Sequence, residues 1–360
     1  VVEPVVEPVV EPVVEPVVEP VVEPIQVNEP NIIKKILAKN KPISEDVNEE
    51  SNDLNGADWP GITAIDTAIE NPKKTMEDFS LRKIRVIQDK TGQPKSYPGQ
   101  FATVYQVELN DSMFALRLLN QPKNNLQQRY RNLHNYFEIN NIFAKCSYFI
   151  PFEYKPNAIS IRTKAGRNAQ KIKFPIIKMD WIEGDVLHEF IKKTNNSKKF
   201  ETLAKKFRYM VKKLESLEIA HGDLHPKNII VHNNKLKLVD YDCIFIKDFK
   251  DEPSPEHGDA DCQHPNRRNF AYDEKIDRFS ALVIYLALLA ISKNIELKSR
   301  YRGEEFIFSA NDFKNPEKSE LFKELDGMKS SKIKSLSNIL KKYCGENKPN
   351  VNSLEKILEY

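Results

Sequence analysis

Three polar side chains in the middle of the sequence have the types and the spacing needed to move a phosphoryl group. In HGDLHPKN, at residues 221–228, Asp223 and Asn228 lie five residues apart in a predicted loop between a long helix and an apolar strand. A second predicted strand, LKLVDYD, has Asp240 near its end. Transfer of the γ-phosphoryl group of ATP requires a carboxylate beside the acceptor hydroxyl and oxygen ligands for Mg²⁺. We therefore predict that Asp223 is the base for the hydroxyl proton and that Asn228 and Asp240 hold the metal.

These segments resemble the catalytic and metal-binding loops of the protein-kinase superfamily. HGDLHPKN is similar to HRDLxxxxN with Gly222 in the arginine position, and Asp240-Tyr241-Asp242 stands in the position of DFG. Further segments, among them PFEY, QHPNRR and DRFSALVIYL, resemble a group of bacterial protein-kinase-like proteins, and this likeness runs from Asp58 to the C terminus. The resemblance implies a two-lobed fold, ATP and Mg²⁺ as cofactors, and a phosphotransferase.

The segment PGQFATVYQV, at residues 98–107, resembles a glycine-rich loop in which most glycines are replaced. By this resemblance, four of its residues contact the nucleotide: Gly99, Phe101, Ala102 and Val104. Tyr97 stands in the position of the first glycine, yet the backbone amides could still approach phosphates.

The segment FALRLL places Arg117 where the family has a lysine that binds the α and β phosphates. Arginine keeps the charge but has a planar, bulkier head, so the replacement is not neutral. Glu138, near the end of the next predicted helix, is the only carboxylate between Asp111 and Glu153. The sequence therefore predicts no obvious acidic partner for Arg117.

The segment KFPIIKMDWIEGDVL resembles the fifth strand and the hinge between the lobes. The resemblance puts Met179 at the gatekeeper position and assigns the backbone of Asp180-Trp181-Ile182 to adenine. Asp185 either reaches the ribose or caps the N terminus of a helix.

Three further residues follow from the same resemblance. His225 and Lys227, just after the base, are both candidates for contact with phosphate, and the sequence does not choose between them. KIDRFSALVIYLALL resembles the helix whose aspartate, here Asp277, accepts hydrogen bonds from the catalytic-loop backbone and stabilises the loop.

The predicted activation segment, residues 241–276, has Ser254 as its only aliphatic hydroxyl. The arginine that would bind a phosphorylated segment is replaced by Gly222, so we expect no regulation by phosphorylation of this segment. Within it, HGDADCQH matches no standard zinc spacing, and we favour a structural or peptide-binding loop over a metal site.

The hydrophobic patterns predict an α+β fold with two lobes. Expected elements are a helix at 63–69, strands at 101–109 and 113–119 joined by a hairpin at Asn110-Asp111-Ser112, a helix at 126–142, and strands at 158–163 and 174–179. Five strands and one helix would form a β-rich N-lobe of about residues 58–179. Helices, including a buried one at 281–291, would dominate a C-lobe of about 183–360.

Residues 1–57 are predicted to lie outside this fold. Residues 1–24 are six copies of VVEP, whose regular prolines favour an extended polyproline II spacer. The polar, acidic remainder is typical of disorder, although the repeat could also be a docking strand for a partner. Because the first residue is Val, we expect further sequence upstream.

Charge and cysteine content narrow the class of protein. Residues 1–59 carry a net charge of −9 and the rest +12, which suits anionic ligands such as nucleotides. The sequence lacks the interleaved basic and aromatic residues of single-strand binders and has no apolar run long enough to span a membrane, so we expect neither nucleic acid nor membrane as partner. Four scattered cysteines without a CxxC pair are typical of a reducing compartment, and we expect a cytoplasmic protein.

These observations favour a serine/threonine protein kinase that uses Asp223 as its base. Two alternatives stay open. The form HGDLHPxN also occurs in small-molecule kinases of the aminoglycoside and choline type, and Arg117 with the reduced glycine loop could indicate a pseudokinase scaffold.

Overall fold

The N-terminal lobe is built on a six-stranded antiparallel sheet. The computed structural model describes residues 59–99, 101–121, 125–163, 170–300 and 306–359, which belong to one compact unit. The strands are β1 (Arg85–Val86), β2 (Ser96–Pro98), β3 (Ala102–Leu109), β4 (Ser112–Leu119), β5 (Phe152–Arg162) and β6 (Lys171–Asp180). Their order is β1-β3-β4-β6-β5, and β2 pairs with β3. The β-rich lobe predicted from the sequence is present, whereas the VVEP repeat lies outside the described residues.

The β3–β4 hairpin turns at Asn110 and Asp111. Both residues have positive φ angles, 49° and 60°, as a two-residue hairpin turn requires. Leu109 pairs directly with Ser112, so the predicted hairpin is confirmed but Ser112 belongs to β4 and not to the turn.

Both faces of this sheet are covered. Helices α1 (Ile62–Ile69) and α2 (Pro72–Thr75) cover the outer face, and α3 (Leu126–Ile139), followed by α4 (Ile142–Lys145), covers the other. Side chains alternate along a strand, so every second residue packs under the outer helices. The buried hydrophobic strand residues in this cluster are Tyr105, Val107, Leu116, Leu118, Ala158, Ile159, Ile161, Phe174 and Ile176. The Tyr105 hydroxyl also donates a hydrogen bond to Asp66 of α1, at 2.6 Å.

The N-terminal lobe has more elements than the five strands and one helix that were predicted. The strands β1 and β2 are only two and three residues long, too short to produce a hydrophobic pattern. The helix predicted to reach residue 142 ends at Ile139, because Asn141 adopts a left-handed conformation (φ 54°) and separates α3 from α4.

The C-terminal lobe is mainly helical, as predicted. Its helices are α5 (Leu187–Lys193), α6 (Ser197–Ser216), α7 (Arg278–Lys293), α8 (Ala310–Lys314), α9 (Glu320–Gly327), α10 (Ser331–Gly345) and α11 (Leu354–Leu358). Of the 16 residues of α7, 13 are buried, which confirms the predicted buried helix, and α6 packs along it. None of the helices in the described ranges is both long and apolar enough to cross a bilayer.

A small antiparallel sheet lies between the helices and the interlobe cleft. It consists of β7 (Asp185–Val186), β8 (Ile229–His232) and β9 (Lys235–Leu238), in the order β7-β8-β9. The Asn196 side chain caps α6 by accepting hydrogen bonds from the backbone of Lys198 and Lys199. The segment between α6 and β8 is the loop predicted to be catalytic.

Candidate active site

The β8–β9 hairpin brings the two predicted metal ligands to the same end of the small sheet. Ile229 pairs with Leu238, and the Val239 amide donates a hydrogen bond to the Asn228 carbonyl at 3.0 Å. Asn228 is the last residue before β8. Asp240 is the second residue after β9, which ends at Leu238. Asp240 itself has a positive φ of 62°, which turns the chain away from the strand.

The predicted catalytic loop is anchored by Asp277, immediately before α7. Its carboxylate accepts hydrogen bonds from the amides of His221, at 2.5 Å, and Gly222, at 2.9 Å. The His221 ring contacts the Val239 carbonyl at 2.8 Å and so ties the loop to the segment after β9. Burial raises the pKa of Asp277. The role predicted for Asp277 is confirmed.

The glycine at position 222 has a steric cause. Its φ is +79°, and a Cβ atom there would lie 1.9 Å from the Cys243 carbonyl oxygen. A residue with a side chain would therefore clash with backbone, which excludes the arginine expected from the resemblance. The Gly222 carbonyl instead accepts a hydrogen bond from buried Arg267, at 3.2 Å.

The carboxylate of Asp223 is held from two sides. Asn228 Nδ2 donates to the Asp223 carbonyl at 2.9 Å and to Oδ2 at 3.0 Å. The Asp259 amide, from the predicted activation segment, donates to Oδ1 at 3.1 Å. Burial raises the pKa of Asp223, the His221 ring and the Asp259 amide oppose this rise, and nearby Asp240 adds to it. A fixed orientation and a raised pKa are both suited to general base catalysis.

His225 and Lys227 have different surroundings. His225 is 3% exposed; its Nδ1 accepts a hydrogen bond from the Lys227 amide at 3.2 Å, and its Nε2 lies 3.4 Å from Asp259 Oδ2. Burial lowers the pKa of His225 to about 4, so the ring is neutral near pH 7. Neither residue is among those that line the two cavities described below, and their contact with phosphate stays a prediction.

Arg117 of β4 has the acidic partners that the sequence did not reveal. Its Nη1 lies 2.8 Å from Asp242 Oδ1 and 2.9 Å from Asp240 Oδ1, and its Nη2 donates to Asp242 Oδ2 at 2.9 Å. Its Nη1 also donates to the Tyr130 hydroxyl of α3, at 2.7 Å. Burial alone would lower the pKa of Arg117, but Tyr130, Asp242 and Asp240 more than offset this, so the guanidinium stays charged.

A cavity of about 410 Å³ lies between the lobes. Seven of the residues predicted to bind the nucleotide line it: Gly99, Ala102, Val104, Arg117, Met179, Asp180 and Ile182. Ile230 of β8 and Val239 line it from the C-terminal lobe, and Ala115, which pairs with Met179, lines it from β4. The volume and the apolar walls suit a small planar ligand such as a nucleobase.

A second cavity of about 150 Å³ adjoins the first and contains the polar residues. The two cavities share Gly99, Ala102, Arg117 and Asp240. The second is also lined by Phe101, Asp223, Asp242, Cys243 and Glu256. Four carboxylates and one guanidinium leave an excess of negative charge, and carboxylate oxygens are the ligands that Mg²⁺ takes together with phosphates. These residues therefore fit a magnesium ion, although Asn228 is not among the lining residues.

Asp185 is not among the residues that line either cavity. Its carboxylate forms an ion pair with Lys193 of α5, at 2.5 Å. The N-cap of α5 is Val186, so Asp185 does not have the capping role that was the alternative. Its contact with ribose stays a prediction.

The structure ties α3 to the predicted activation segment through Arg129, which the sequence did not single out. Its guanidinium donates to Glu252 at 2.7 Å, to the Ile244 carbonyl at 3.0 Å and to the Tyr272 hydroxyl at 2.6 Å. It also lies over the Phe249 ring, 4.1 Å from the centroid. The segment is thus fastened by a buried cation on α3.

The polar residues of HGDADCQH have separate partners. Asp261 accepts a hydrogen bond from the Ala310 amide at 2.8 Å, and the His264 ring contacts the Tyr343 carbonyl at 2.9 Å. Cys262 is fully buried. Across the described ranges, no group of three or more His, Cys, Asp and Glu side chains is arranged to hold a metal by itself.

No protein-family model matches the chain, and no curated protein matches it. The structure is similar to that of the kinase PK-1 of Cydia pomonella granulovirus, with 15% sequence identity and a TM-score of 0.45. The similarity covers 74% of this chain and 88% of PK-1.

Proposed function

We propose that this chain is an ATP- and Mg²⁺-dependent phosphotransferase with a protein-kinase-like fold. One observation carries the proposal. Arg117 lies far from Asp223 and Asp240 in the sequence, yet all three line one polar cavity, and that cavity adjoins an apolar cavity between the lobes. A site for phosphates next to a site for a base is what a nucleoside triphosphate requires.

The apolar cavity supports binding of the adenine. Val104 and Ala115 line it from the N-terminal lobe, and Ile230 and Val239 line it from the C-terminal lobe. The hinge supplies the remaining edge. There the Trp181 amide already donates to the Met113 carbonyl, at 3.1 Å, so Asp180 and Ile182 are the proposed backbone contacts of adenine.

The polar cavity supports binding of the phosphates. The turn that carries Gly99 is closed by a hydrogen bond from its amide to the Ala102 carbonyl, at 2.8 Å, and it lines both cavities beside Arg117. Asp240 and Asn228 would hold Mg²⁺, which when bound neutralises charge on the phosphates. Asp223, oriented by Asn228 and the Asp259 amide, accepts the proton of the acceptor hydroxyl.

We propose a serine or threonine hydroxyl of a protein as the acceptor. The segment at Gly258 and Asp259 runs directly beside Asp223, since a Cβ atom on Gly258 would lie 2.7 Å from Asp223 Oδ1. Backbone next to the base is a surface along which an extended peptide could pair. A small-molecule acceptor and a pseudokinase are the alternatives. The carboxylate partner of Arg117 and the oriented Asp223 both support turnover.

The test is phosphoryl transfer from γ-labelled ATP in the presence of Mg²⁺, with and without generic protein substrates and, separately, with an added aminoglycoside or choline. Wild type is compared with Asp223→Asn and with Asp248→Asn, an exposed carboxylate outside both cavities. Label on protein that is lost only in Asp223→Asn supports a protein kinase. Label on an added metabolite supports the small-molecule alternative. ATP binding without transfer to either acceptor overturns the phosphotransferase and supports a pseudokinase.

A further inference from the structure

The Arg117 guanidinium has a two-point partner in a place where the sequence predicted none. Both oxygens of Asp242 face it, Oδ1 at 2.8 Å from Nη1 and Oδ2 at 2.9 Å from Nη2. The contact from Nη2 is a hydrogen bond and the contact from Nη1 is an ion-pair contact, since Nη1 donates to Tyr130 and Asp240. Contacts from two nitrogens of a planar guanidinium to one carboxylate fix orientation as well as distance. The side chains are 12% and 7% exposed, so little solvent screens the pair.

Helix α3 contributes a hydroxyl to this pair and not a carboxylate. The Tyr130 hydroxyl donates to Asp242 Oδ1 at 2.7 Å and accepts from Arg117 Nη1 at 2.7 Å. The ring is 3% exposed and packs edge-on against Phe152, with 6.0 Å between centroids. Tyr130 therefore bridges the ion pair to α3, while the only acid of that helix, Glu138, lies next to its last residue.

The second carboxylate near Arg117 has a different role. Asp240 reaches Nη1 through one oxygen at 2.9 Å, and 48% of its side chain is exposed. Asp240 is the proposed metal ligand, so it must be able to turn from Arg117 to the metal. Without Asp242, Asp240 would lose its competitor for Arg117 Nη1 and would be drawn more strongly to the guanidinium.

We propose that Asp242 is a positioning residue that holds Arg117 in its phosphate-binding orientation, bridged to α3 by Tyr130, and so releases Asp240 for the metal. The proposal rests on the function proposed above. It also gives a reason for arginine at position 117, because an ammonium group is a single point charge and cannot engage both oxygens of Asp242 in parallel.

Four full-length variants test this role. Asp242→Asn keeps the shape but removes the charge, and Tyr130→Phe removes only the bridging hydroxyl. The double variant Tyr130→Glu/Asp242→Asn returns a carboxylate to Arg117 from α3. Asp248→Asn is the matched control, since it removes an exposed carboxylate from the same segment. The readouts are KM for ATP, kcat, the Mg²⁺ concentration for half-maximal activity, ATP affinity by calorimetry, and thermal unfolding.

Asp242→Asn is expected to raise KM for ATP and the Mg²⁺ requirement about ten-fold each, since one charged partner of a two-point contact is lost. ATP affinity without Mg²⁺ should fall by a similar factor. The double variant should return to within about three-fold of wild type, and Tyr130→Phe should weaken ATP binding about three-fold. A merely structural Asp242 would lower thermal stability and leave the Mg²⁺ requirement unchanged.

Two results overturn the proposal. The first is an Asp242→Asn protein whose ATP affinity and Mg²⁺ requirement both stay within about two-fold of wild type. The second is a folded double variant whose ATP affinity is no better than that of Asp242→Asn. If Asp242→Asn does not fold, the double variant and Tyr130→Phe decide by the same ATP affinities. Wild type that binds ATP but transfers nothing overturns the phosphotransferase alone, and calorimetry still tests Asp242. Wild type that binds no ATP overturns both.

Discussion

Asp223 is half-buried and its carboxylate accepts two hydrogen bonds, so its protonation state should control activity. The Asn228 amide and the Asp259 amide fix the two oxygens, while burial favours the neutral form. These two features act on different quantities. The hydrogen bonds set the direction of proton transfer, and burial sets the pH at which the base becomes available.

Activity should therefore fall with decreasing pH at a value above the ordinary aspartate pKa of about 3.9. Burial raises the pKa of Asp223, and only its ionised form accepts a proton. The measurement is kcat/KM across the acidic range, with Asp248→Asn expected to retain the same acidic limb. A limb at or below the ordinary aspartate value would contradict this prediction.

His225 should make the fold less stable in mild acid. Its folded pKa of about 4 lies below the unfolded value of about 6.5, so the unfolded chain binds the extra proton between these values. Stability is then complete above about pH 6.5 and is lost as the pH falls towards 4, by about 2 kcal/mol at pH 5. Burial dominates this shift, Asp259 opposes it and Lys227 adds to it.

Urea unfolding near pH 7 and near pH 5 measures this effect. His225→Gln removes the titrating group and should flatten the pH dependence. His257→Gln, in the neighbouring segment, should flatten it less: burial, Arg268 and Arg267 also lower the pKa of His257, but its ring is more exposed than that of His225. An unchanged slope in His225→Gln would show that other groups cause the loss.

At this scale, motif spacing predicted three residues that the fold brings close together. Asp223, Asn228 and Asp240 have the types and separations that phosphoryl transfer requires. Asn228 contacts Asp223, and Asp240 lines the same cavity as Asp223, while their catalytic and metal-binding roles stay predictions. The sequence did not reveal the partners of Arg117. Tyr130 and Asp242 are 112 residues apart, and no acidic residue stands where the resemblance has one. An extra carboxylate at 242, in a position where the resemblance has glycine, was the available signal.

At the scale of elements, α3 and the predicted activation segment are joined by one buried arginine. Arg129 reaches a carboxylate, a carbonyl and a hydroxyl on that segment without any added phosphate. The hydroxyl of Ser254 is itself engaged, as it donates to the Glu256 carbonyl at 2.6 Å. The Arg129 guanidinium therefore links this segment to α3 without phosphorylation of the segment.

Arg129→Ala should reduce activity at least ten-fold and destabilise the fold by about 3 kcal/mol, because buried acceptors lose their donors. Ser254→Ala should leave activity essentially intact. Initial rates and urea unfolding measure both. A ten-fold loss in Ser254→Ala would instead indicate control through that hydroxyl.

Gly222→Ala should destabilise the catalytic loop by about 2 kcal/mol or more, since strain at positive φ and contact with backbone add together. Gly327→Ala is the matched control. Its Cβ would meet nothing within 4 Å, and as the last residue of α9 it should gain up to about 1 kcal/mol. Equal effects of the two changes on unfolding would be evidence against the steric cause.

Element positions followed well from long hydrophobic patterns and poorly from short ones. The β3–β4 hairpin and α7 were predicted because alternation and continuous apolar character are strong signals. The start of α3 at Leu126 was predicted, but its C-terminal end and the strands β1 and β2 were not. A left-handed asparagine and strands of two or three residues leave little pattern.

At the scale of the whole molecule, the sheet of the N-terminal lobe separates the ligand cavity from the core under the outer helices. One face lines the interlobe cavity through Val104, Ala115 and Arg117, and the other packs against α1 and α2. The outer core is separate from the ligand cavity, so stability and nucleotide binding should respond to different substitutions.

Ile65→Ala should test this separation. Ile65 is fully buried in α1, and its truncation should cost about 3 kcal/mol while ATP affinity stays unchanged in the folded protein. Ile62→Ala, on the same helix but 46% exposed, should change stability by no more than about 0.5 kcal/mol. Loss of ATP affinity in folded Ile65→Ala would show that the two faces are coupled.

The outer helices also decide how a shortened chain would behave in solution. A recombinant fragment that starts at β1 would retain every residue of both cavities but would lack α1 and α2. Its sheet would then present a bare apolar face of isoleucine, leucine and aromatic side chains to water. Exposed apolar surfaces of this kind promote aggregation. The first residue of the expressed fragment would therefore determine whether the protein is monodisperse or aggregated.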